Sequence, residues 1–528
     1  MAAVPARSVP EAFLASAARC PDKACILFEG QTVTYADLRR GAIRWAEGLR
    51  AWGLEPGERV ALFLENSPTF VAAYLGVQLA GGVVVLVNTQ YRQVELRHIL
   101  QDAGVRVAVT DPAGRAELAR VVGELVALDA VVTVGKRAEE PEEPALLAAN
   151  VRELGDAELT ADAPGATPPA LPVGDAVAVL GYTSGTTGRS KGAMLTHRNL
   201  ISNAVAVTTA WRWTEKDRLL LALPLFHAHG LFVGMHGTLL TGSTADLRRK
   251  FDAADTFETL LRGDTTMFFG VPTMYVRLVA EARKRGVRPP PIRLYVSGSA
   301  PLSPQTFEEF AKLFGQPILE RYGMTETIMN LTNPYEGERR PGTVGMPFPG
   351  QEARIVDVLT RQPIEDETPG EIQVRGPHVF KGYWNRPDAT AEAFDADGWF
   401  NTGDLGWRSK DGYFTISGRA RELIISGGFN VYPREVEEVL EAHPAVAEAA
   451  VVGLPHPEFG EQVVAAVVPR KGERVDADAL VEHCRDQLAS FKKPRRVFVV
   501  ESLPRNALGK VQKHVLREQL LKQASASR

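Results

Sequence analysis

Cysteine is scarce in this 528-residue chain: only Cys20, Cys25 and Cys484 occur, and no two of them form a Cys-x-x-Cys pair. That scarcity excludes a disulfide framework and argues against a cysteine-held zinc. It suits a reducing compartment. Long apolar runs are also missing, since the longest, such as 82–87 and 219–226, stop far short of the roughly 20 residues that a membrane-spanning helix needs. The N-terminus lacks a continuous apolar signal core, and Glu11 and Asp22 count against a transit peptide despite Arg7 and nearby Ala and Ser. Neither sign of charge dominates. Lys plus Arg total 60 against 64 for Asp plus Glu, a net charge of −4, so no protein-wide field draws the chain to nucleic acid or anionic lipid. The expectation is a cytoplasmic protein with no membrane span and no nucleic-acid partner.

Apolar residues make up 45% and charged residues 23%, the composition of a globular protein able to bury a large core. Helical apolar spacing over 35–52 alternates with strand-like runs at 59–63 and 83–87, which favours an α/β architecture. From 136 to 175 Ala, Glu and Pro dominate, predicting a surface excursion that ends at a strand over 176–182. Beyond about 356, short strands are expected at 371–375, 399–402 and 413–417. The character changes again after Gly418. A strand at 423–425 is followed by a helix opening at Pro433, with Val436, Val439 and Leu440 on one face. Strands at 447–452 and 462–468, a helix over 476–488, a strand at 496–500 and a last helix complete an α+β unit. The spacing predicts an α/β domain over 1–418 and a compact α+β domain over 419–528.

The chemistry concentrates in Tyr182-Thr-Ser-Gly-Thr-Thr-Gly-Arg-Ser-Lys191-Gly192, directly after a buried strand. Gly185, Gly188 and Gly192 permit close backbone approach, the hydroxyls of Thr183, Ser184, Thr186 and Thr187 can donate to anionic oxygens, and Lys191 adds a cation. This reads as a phosphate cradle. It is not a Walker A loop, which places Gly-Lys-Ser/Thr after four spacer residues. The overlapping Gly188-Arg-Ser190-Lys-Gly192 matches the G-x-S-x-G of serine hydrolases. That motif seats its serine on a strand-to-helix turn, whereas Ser190 lies eight residues beyond Tyr182.

Further motifs follow in order: Ser297-Gly-Ser-Ala-Pro301, Arg321-Tyr-Gly-Met-Thr-Glu326-Thr, Thr402-Gly-Asp404, Gly418-Arg419-Ala-Arg421-Glu-Leu-Ile, Ser426-Gly-Gly-Phe-Asn and Pro504-Arg-Asn-Ala-Leu-Gly-Lys510. With the phosphate loop they span almost the whole chain, and the ordered set resembles the adenylate-forming superfamily of acyl-CoA synthetases, luciferases and peptide-synthetase adenylation domains. The resemblance implies a large multi-subdomain N-terminal α/β domain and a small mobile C-terminal domain with its hinge near Arg421. It also implies an AMP-forming acyl-CoA synthetase that uses ATP, Mg²⁺ and coenzyme A. A carboxylate attacks the α-phosphorus of ATP, pyrophosphate leaves, and the thiol of coenzyme A attacks the acyl-adenylate.

The same resemblance implies roles for individual residues. Thr186 and Glu326 would hold Mg²⁺, Thr186 and Lys191 would address the outgoing pyrophosphate, and Lys510 would bridge the carboxylate and the α-phosphate. Thr183, Ser184, Gly185, Thr187 and Gly188 complete the cradle. Tyr322, with Gly323, Met324 and Thr325, would face the adenine, and Ser299, Ala300 and Pro301 would line its other side. Asp404 would accept from the ribose hydroxyls, supported by Arg419, and Gly427 and Gly428 would line the pantetheine channel. His227 would stand beside the acyl and pantetheine channel, with Ser297 on the acyl side. A metal at His227, His229 and His236 is disfavoured, because no carboxylate or cysteine lies beside them in sequence.

Residues 265–277, reading TTMFFGVPTMYVR, and the segment after Glu326 resemble malonyl-CoA synthetases. That likeness implies malonate or methylmalonate as substrate. A second carboxylate in a dry pocket requires a cation. Arg277 is the candidate, able to offer a bidentate fork. The alternative reading makes Arg277 a solvated helical arginine and the acid a medium- or long-chain fatty acid, with Phe268, Phe269 and Met274 lining either pocket. A free-standing adenylation domain that loads a carrier protein is a second alternative, and a homodimer stays open.

Overall fold

A computed structural model describes residues 6–135, 151–161, 171, 173–183, 190–426, 429–456, 459–485, 487–506 and 509–526. The chain forms two compact units, Met1–Ala353 with Val374–Phe400, and Arg354–Gln373 with Asn401–Arg528. The second unit takes in 401–418, which lie on the N-terminal side of the sequence boundary. The reason is strand pairing: Phe400–Arg408 and Phe414–Arg419 form one antiparallel ladder, with Asp404 opposite Arg419.

In the first unit, a seven-stranded sheet has the order Arg152–Gly155, Ala130–Thr133, Val105–Thr110, Arg59–Phe63, Val83–Leu86, Val177–Thr183 and Lys191–Thr196. All neighbours run parallel except the last pair, which is antiparallel. Strands of a mainly parallel sheet are covered on both faces, and Val83–Leu86 is accordingly apolar and buried throughout. Part of the expected surface excursion belongs to this sheet instead. Arg152–Gly155 is its edge strand, with Val151 and Leu154 buried. Its sequence, Arg-Glu-Leu-Gly, carries one apolar side chain, too few to reveal a strand by alternation.

A nine-stranded sheet in the same unit has Met267–Gly270, Leu294–Ser297 and Leu319–Tyr322 side by side and parallel. The helices Ala253–Leu261, Pro272–Arg285 and Pro304–Phe314 supply Phe257, Tyr275 and Phe310 to a core that includes Phe268 and Tyr295 from the strands. The last of these helices begins because the Ser303 side chain accepts from Thr306 N and Pro304 fixes the first turn.

In the second unit, strands Val446–His456 and Gly460–Pro469 form a long antiparallel pair, with Arg496–Val499 parallel to the latter. Alternation sends Val451, Val463, Ala465 and Val467 to a core shared with Val436 and Leu440, and Val452, Val464 and Ala466 to one shared with Leu516 and Leu520. Both faces of this small sheet are therefore covered by helices of its own unit. Among the described residues, no helix is long and apolar enough to cross a membrane.

Candidate active site

The putting-together of the site begins with the hairpin made by Val177–Thr183 and Lys191–Thr196, in which Thr183 stands opposite Lys191 and Tyr182 opposite Gly192. The intervening Ser184, Gly185, Thr186, Thr187 and Gly188 lie outside the described residues. The element that follows is an antiparallel strand, unlike the helix that follows a Walker A loop or the strand-to-helix elbow of serine hydrolases. Ser190 therefore sits in the wrong setting for a hydrolase nucleophile.

Three side chains converge at the end of this hairpin. Lys191 Nζ lies 5.2 Å from the ring centroid of Tyr383. The Tyr383 hydroxyl donates to Glu326 Oε1 at 3.0 Å, and Glu326 is buried. The backbone holds the three together: Trp384 N donates to Gly192 O at 2.8 Å, Lys381 N to Met194 O at 2.9 Å, and Phe380 N to Glu326 O at 2.8 Å. Segment 380–384 thus ties the lysine strand to the glutamate loop. A cation over the aromatic face and a carboxylate at the hydroxyl place a positive and a negative group around one ring. Sequence reasoning missed Tyr383. Its setting, Lys-Gly-Tyr-Trp, has no periodicity or charge pattern to mark it, and its role arises from a contact 57 residues away in sequence.

The loop after Tyr322 is as tight. A Cβ on Gly323 would overlap the Ile328 carbonyl, Ile328 has φ 61°, and Asn330 N donates to Tyr322 O at 2.9 Å. Gly323 is therefore required by the turn whatever it faces. Gly181 approaches the same loop, because a Cβ there would lie 2.6 Å from Thr325 Cγ2. Tyr322 is buried, while Met324 and Thr325 are half-buried.

On the neighbouring strand Ser297 is fully buried, Ser299 has φ 70° and lies with Oγ 3.4 Å from His229 Nδ1, Ala300 is half-buried and Pro301 is exposed. His229 N donates to Nδ1 of the half-buried His227 at 3.4 Å. His236 belongs to the core, paired with the Tyr74 hydroxyl at 2.9 Å, and burial pushes its imidazole down to about 3. Among the described residues, no three His, Cys, Asp or Glu side chains are grouped to hold a metal.

Two acyl-site expectations are met differently. Phe268 and Phe269 are fully buried and packed edge-to-face, Phe268 against Tyr275 and Tyr295, Phe269 against Trp211 and Trp213. They fill the core instead of lining an open pocket. Arg277 is exposed, on the face of helix Pro272–Arg285 opposite the buried Tyr275, Leu278 and Val279.

In the second unit, Arg419 Nε lies 2.6 Å from the buried Asp404 Oδ1, directly across the ladder. Lys510 is exposed on a tight turn closed by the Arg505–Val511 bridge, with Lys510 N donating to Asn506 Oδ1 and Asn506 N donating to Lys510 O, both at 2.9 Å. Arg421 lies in the single turn Ala420–Glu422, and Gly427 and Gly428 fall outside the described residues. The structure thus groups Lys191, Tyr383, Glu326 and Thr325 in one unit, and Asp404 with Arg419 in the other.

Residues 13–384 match the AMP-binding enzyme family, and residues 435–510 match the AMP-binding enzyme C-terminal domain. The chain belongs to the AMP-binding enzyme family. It is 38% identical to the sulfoacetate–CoA ligase of Cupriavidus necator, over 96% of this chain and 98% of that one. It is 34% identical to the long-chain-fatty-acid–CoA ligase of Bacillus subtilis, over 98% and 95%, and 35% identical to a mitochondrial malonate–CoA ligase of Bos taurus, over 88% and 81%. The crystal structure of ATP-bound MatB from Rhodopseudomonas palustris resembles it with a TM-score of 0.87 at 40% identity, covering 97% of this chain and 99% of that one. The fold is the mixed α/β adenylate-forming type with a large N-terminal and a small C-terminal domain. The protein is an AMP-forming acid–thiol ligase that uses ATP to join a carboxylic acid to coenzyme A.

Tyr383→Phe in this ligase keeps the ring beside Lys191 and removes the hydroxyl from Glu326. A hydrogen bond to a charged group contributes about 1.5–3 kcal/mol. Acid-dependent ATP–pyrophosphate exchange is expected to fall about tenfold to a hundredfold, with the thermal midpoint nearly unchanged.

Proposed function

We propose that this ligase converts malonate or methylmalonate to its CoA thioester. The observation that carries this choice is the closed aromatic wall. Phe268 and Phe269 are fully buried among other aromatic rings, so a long acyl chain would have to displace packed core, whereas a three-carbon diacid would not. Two of the relatives are named for short acids with a second anionic group, malonate and sulfoacetate. Arg277 supplies a cation open to solvent that attracts the dianion and engages its distal carboxylate.

In the first half-reaction Thr183, Ser184, Gly185, Thr186, Thr187 and Gly188 cradle the phosphates and Lys191 neutralises the outgoing pyrophosphate. Glu326 fits Mg²⁺, being a buried, hard carboxylate oxygen of the kind this ion takes singly alongside phosphate and water; Thr186 would be the second holder. The ion supplies charge neutralisation at the phosphate oxygens. Tyr383 keeps the Glu326 carboxylate oriented. Tyr322 stacks on adenine, with Gly323, Met324, Thr325, Ser299, Ala300 and Pro301 around it. Asp404 accepts from the ribose hydroxyls while Arg419 pairs with that carboxylate across the ladder.

Lys510 meets the two anions as they join, bridging the substrate carboxylate and the α-phosphate. The second half-reaction needs that space for sulfur. A C-terminal domain beginning at 419 therefore turns about a hinge near Arg421, which removes Lys510 and opens a thiol path along Gly427, Gly428, His227 and Ser297.

Lys510→Ala is expected to abolish adenylate formation and to leave thioester formation from supplied malonyl-adenylate within a few-fold of the parent, as measured on each half-reaction. Equal loss of both would remove the moving-lysine account. In CoA-dependent AMP release, malonate and methylmalonate should outperform octanoate, and Arg277→Ala should raise the malonate KM steeply. Better turnover of octanoate would overturn the diacid assignment.

A further inference from the structure

Asp102 lies in the last turn of the helix Gln93–Ala103, which closes on Gly104 at φ 61°. An acid there opposes the helix dipole, whose C-terminal end is itself negative. Its contacts explain the position. Asp102 Oδ2 accepts from the Tyr182 hydroxyl at 2.8 Å, and Oδ1 accepts from Arg386 Nη2 at 2.6 Å. The Asp102 carbonyl, one of those that a helix end leaves open, accepts from Trp384 Nε1 at 3.2 Å. One turn earlier on the same face, His98 Nε2 donates to Ser190 O at 2.7 Å. A single helix therefore grips both strands of the phosphate hairpin, at Tyr182 on one side and at Ser190, next to Lys191, on the other.

These bonds close a circuit around the Lys191–Tyr383 contact. Tyr182 stands opposite Gly192 in the ladder, and a Cβ on Gly192 would lie 3.1 Å from Tyr182 Cζ, so the ring is seated on that glycine. Gly192 O accepts from Trp384 N, and the Trp384 indole returns to Asp102. Lys191 directly precedes Gly192, and Tyr383 directly precedes Trp384. Both are thus immediate neighbours of the circuit. Burial, and then the Asp102 charge, push the Tyr182 hydroxyl up, which keeps it a donor. The Arg386 side chain is 44% exposed, and an ion pair so open to water contributes little alone. The Tyr182 bond is the one that matters for placement.

We infer that Asp102 is a positioning residue for the adenylation step, fixing through Tyr182 the place at which Lys191 meets Tyr383 and Glu326. This rests on the part given above to Lys191, and on no choice of acid. A charge aimed at phosphate oxygens acts best when its place is set before the reaction, and a displacement of about 1 Å can cost about a hundredfold. In the second half-reaction pyrophosphate has already left. The two half-reactions should therefore respond differently.

The test compares the parent, Asp102→Ala, Tyr182→Phe, the double variant and Lys191→Ala in acid-dependent ATP–pyrophosphate exchange and in thioester formation from supplied acyl-adenylate. The acid is malonate, or octanoate should the parent turn that over faster. Asp102→Ala should lower kcat for exchange about thirtyfold and Tyr182→Phe about fivefold, with KM for ATP within about threefold and thioester formation within about twofold. Because the two residues act through one bond, the double variant should be no slower than Asp102→Ala. Tyr182→Phe removes one oxygen and keeps the packed ring, so it decides the matter should Asp102→Ala fail to fold. Equal loss in both half-reactions makes Asp102 merely structural and overturns the assignment. Normal exchange in Asp102→Ala or in Tyr182→Phe, or losses that multiply in the double variant, overturn it while the part of Lys191 stands. Normal exchange in Lys191→Ala overturns both.

Discussion

A carboxylate can reach the α-phosphorus of ATP only where positive charge already stands, because both reactants are anions and the new charge density grows between them. Water would supply that charge by reorienting; a protein must have it in place beforehand. This requirement accounts for the arrangement around the hairpin of Val177–Thr183 and Lys191–Thr196. Lys191 is held by its strand and leans on the Tyr383 ring, and Glu326 is held by a turn that only Gly323 allows. The segment 380–384 ties the two backbones to each other through hydrogen bonds, and its Tyr383 side chain touches both charged groups.

The second unit follows the same economy of motion. Its small sheet is covered on both faces by its own helices, giving it a core independent of the large sheets. The Asp404–Arg419 pair is fixed by direct opposition across an antiparallel ladder, and Lys510 is presented at a turn closed on both sides by hydrogen bonds to Asn506. Within this unit the Lys510 ammonium stands exposed at a turn of its own.

Much of this was legible from residue type and spacing. The helix expected over 35–52 is Tyr35–Trp52, and the helix opening at Pro433 is Pro433–Glu441, because apolar periodicity and caps are local signals. The glycines, hydroxyls and lysine after a strand read as a phosphate cradle, and of these the structure describes only Thr183 and Lys191 to Gly192, since 184–189 lie outside the described residues. What stayed hidden depends on distant contacts. Tyr383 acts only because its segment lies along the lysine strand, and the edge strand Arg152–Gly155 pairs through backbone groups that leave little trace in side chains. Phe268 and Phe269 looked like pocket lining because periodicity cannot tell a packed core face from a cavity wall. The alternation of Leu319–Tyr322 similarly hid that Arg321 turns into the interior, where an arginine is seldom expected.

The central claim is that the substrate carboxylate itself forms a bond to the α-phosphorus. Malonate labelled with ¹⁸O in its carboxylates, turned over once with ATP and coenzyme A, tests it directly by mass spectrometry of the products. The account predicts AMP carrying one ¹⁸O in its phosphate, since the oxygen that attacked phosphorus leaves with AMP when sulfur takes the acyl carbon. Unlabelled AMP, or label appearing in inorganic phosphate beside ADP, would contradict it.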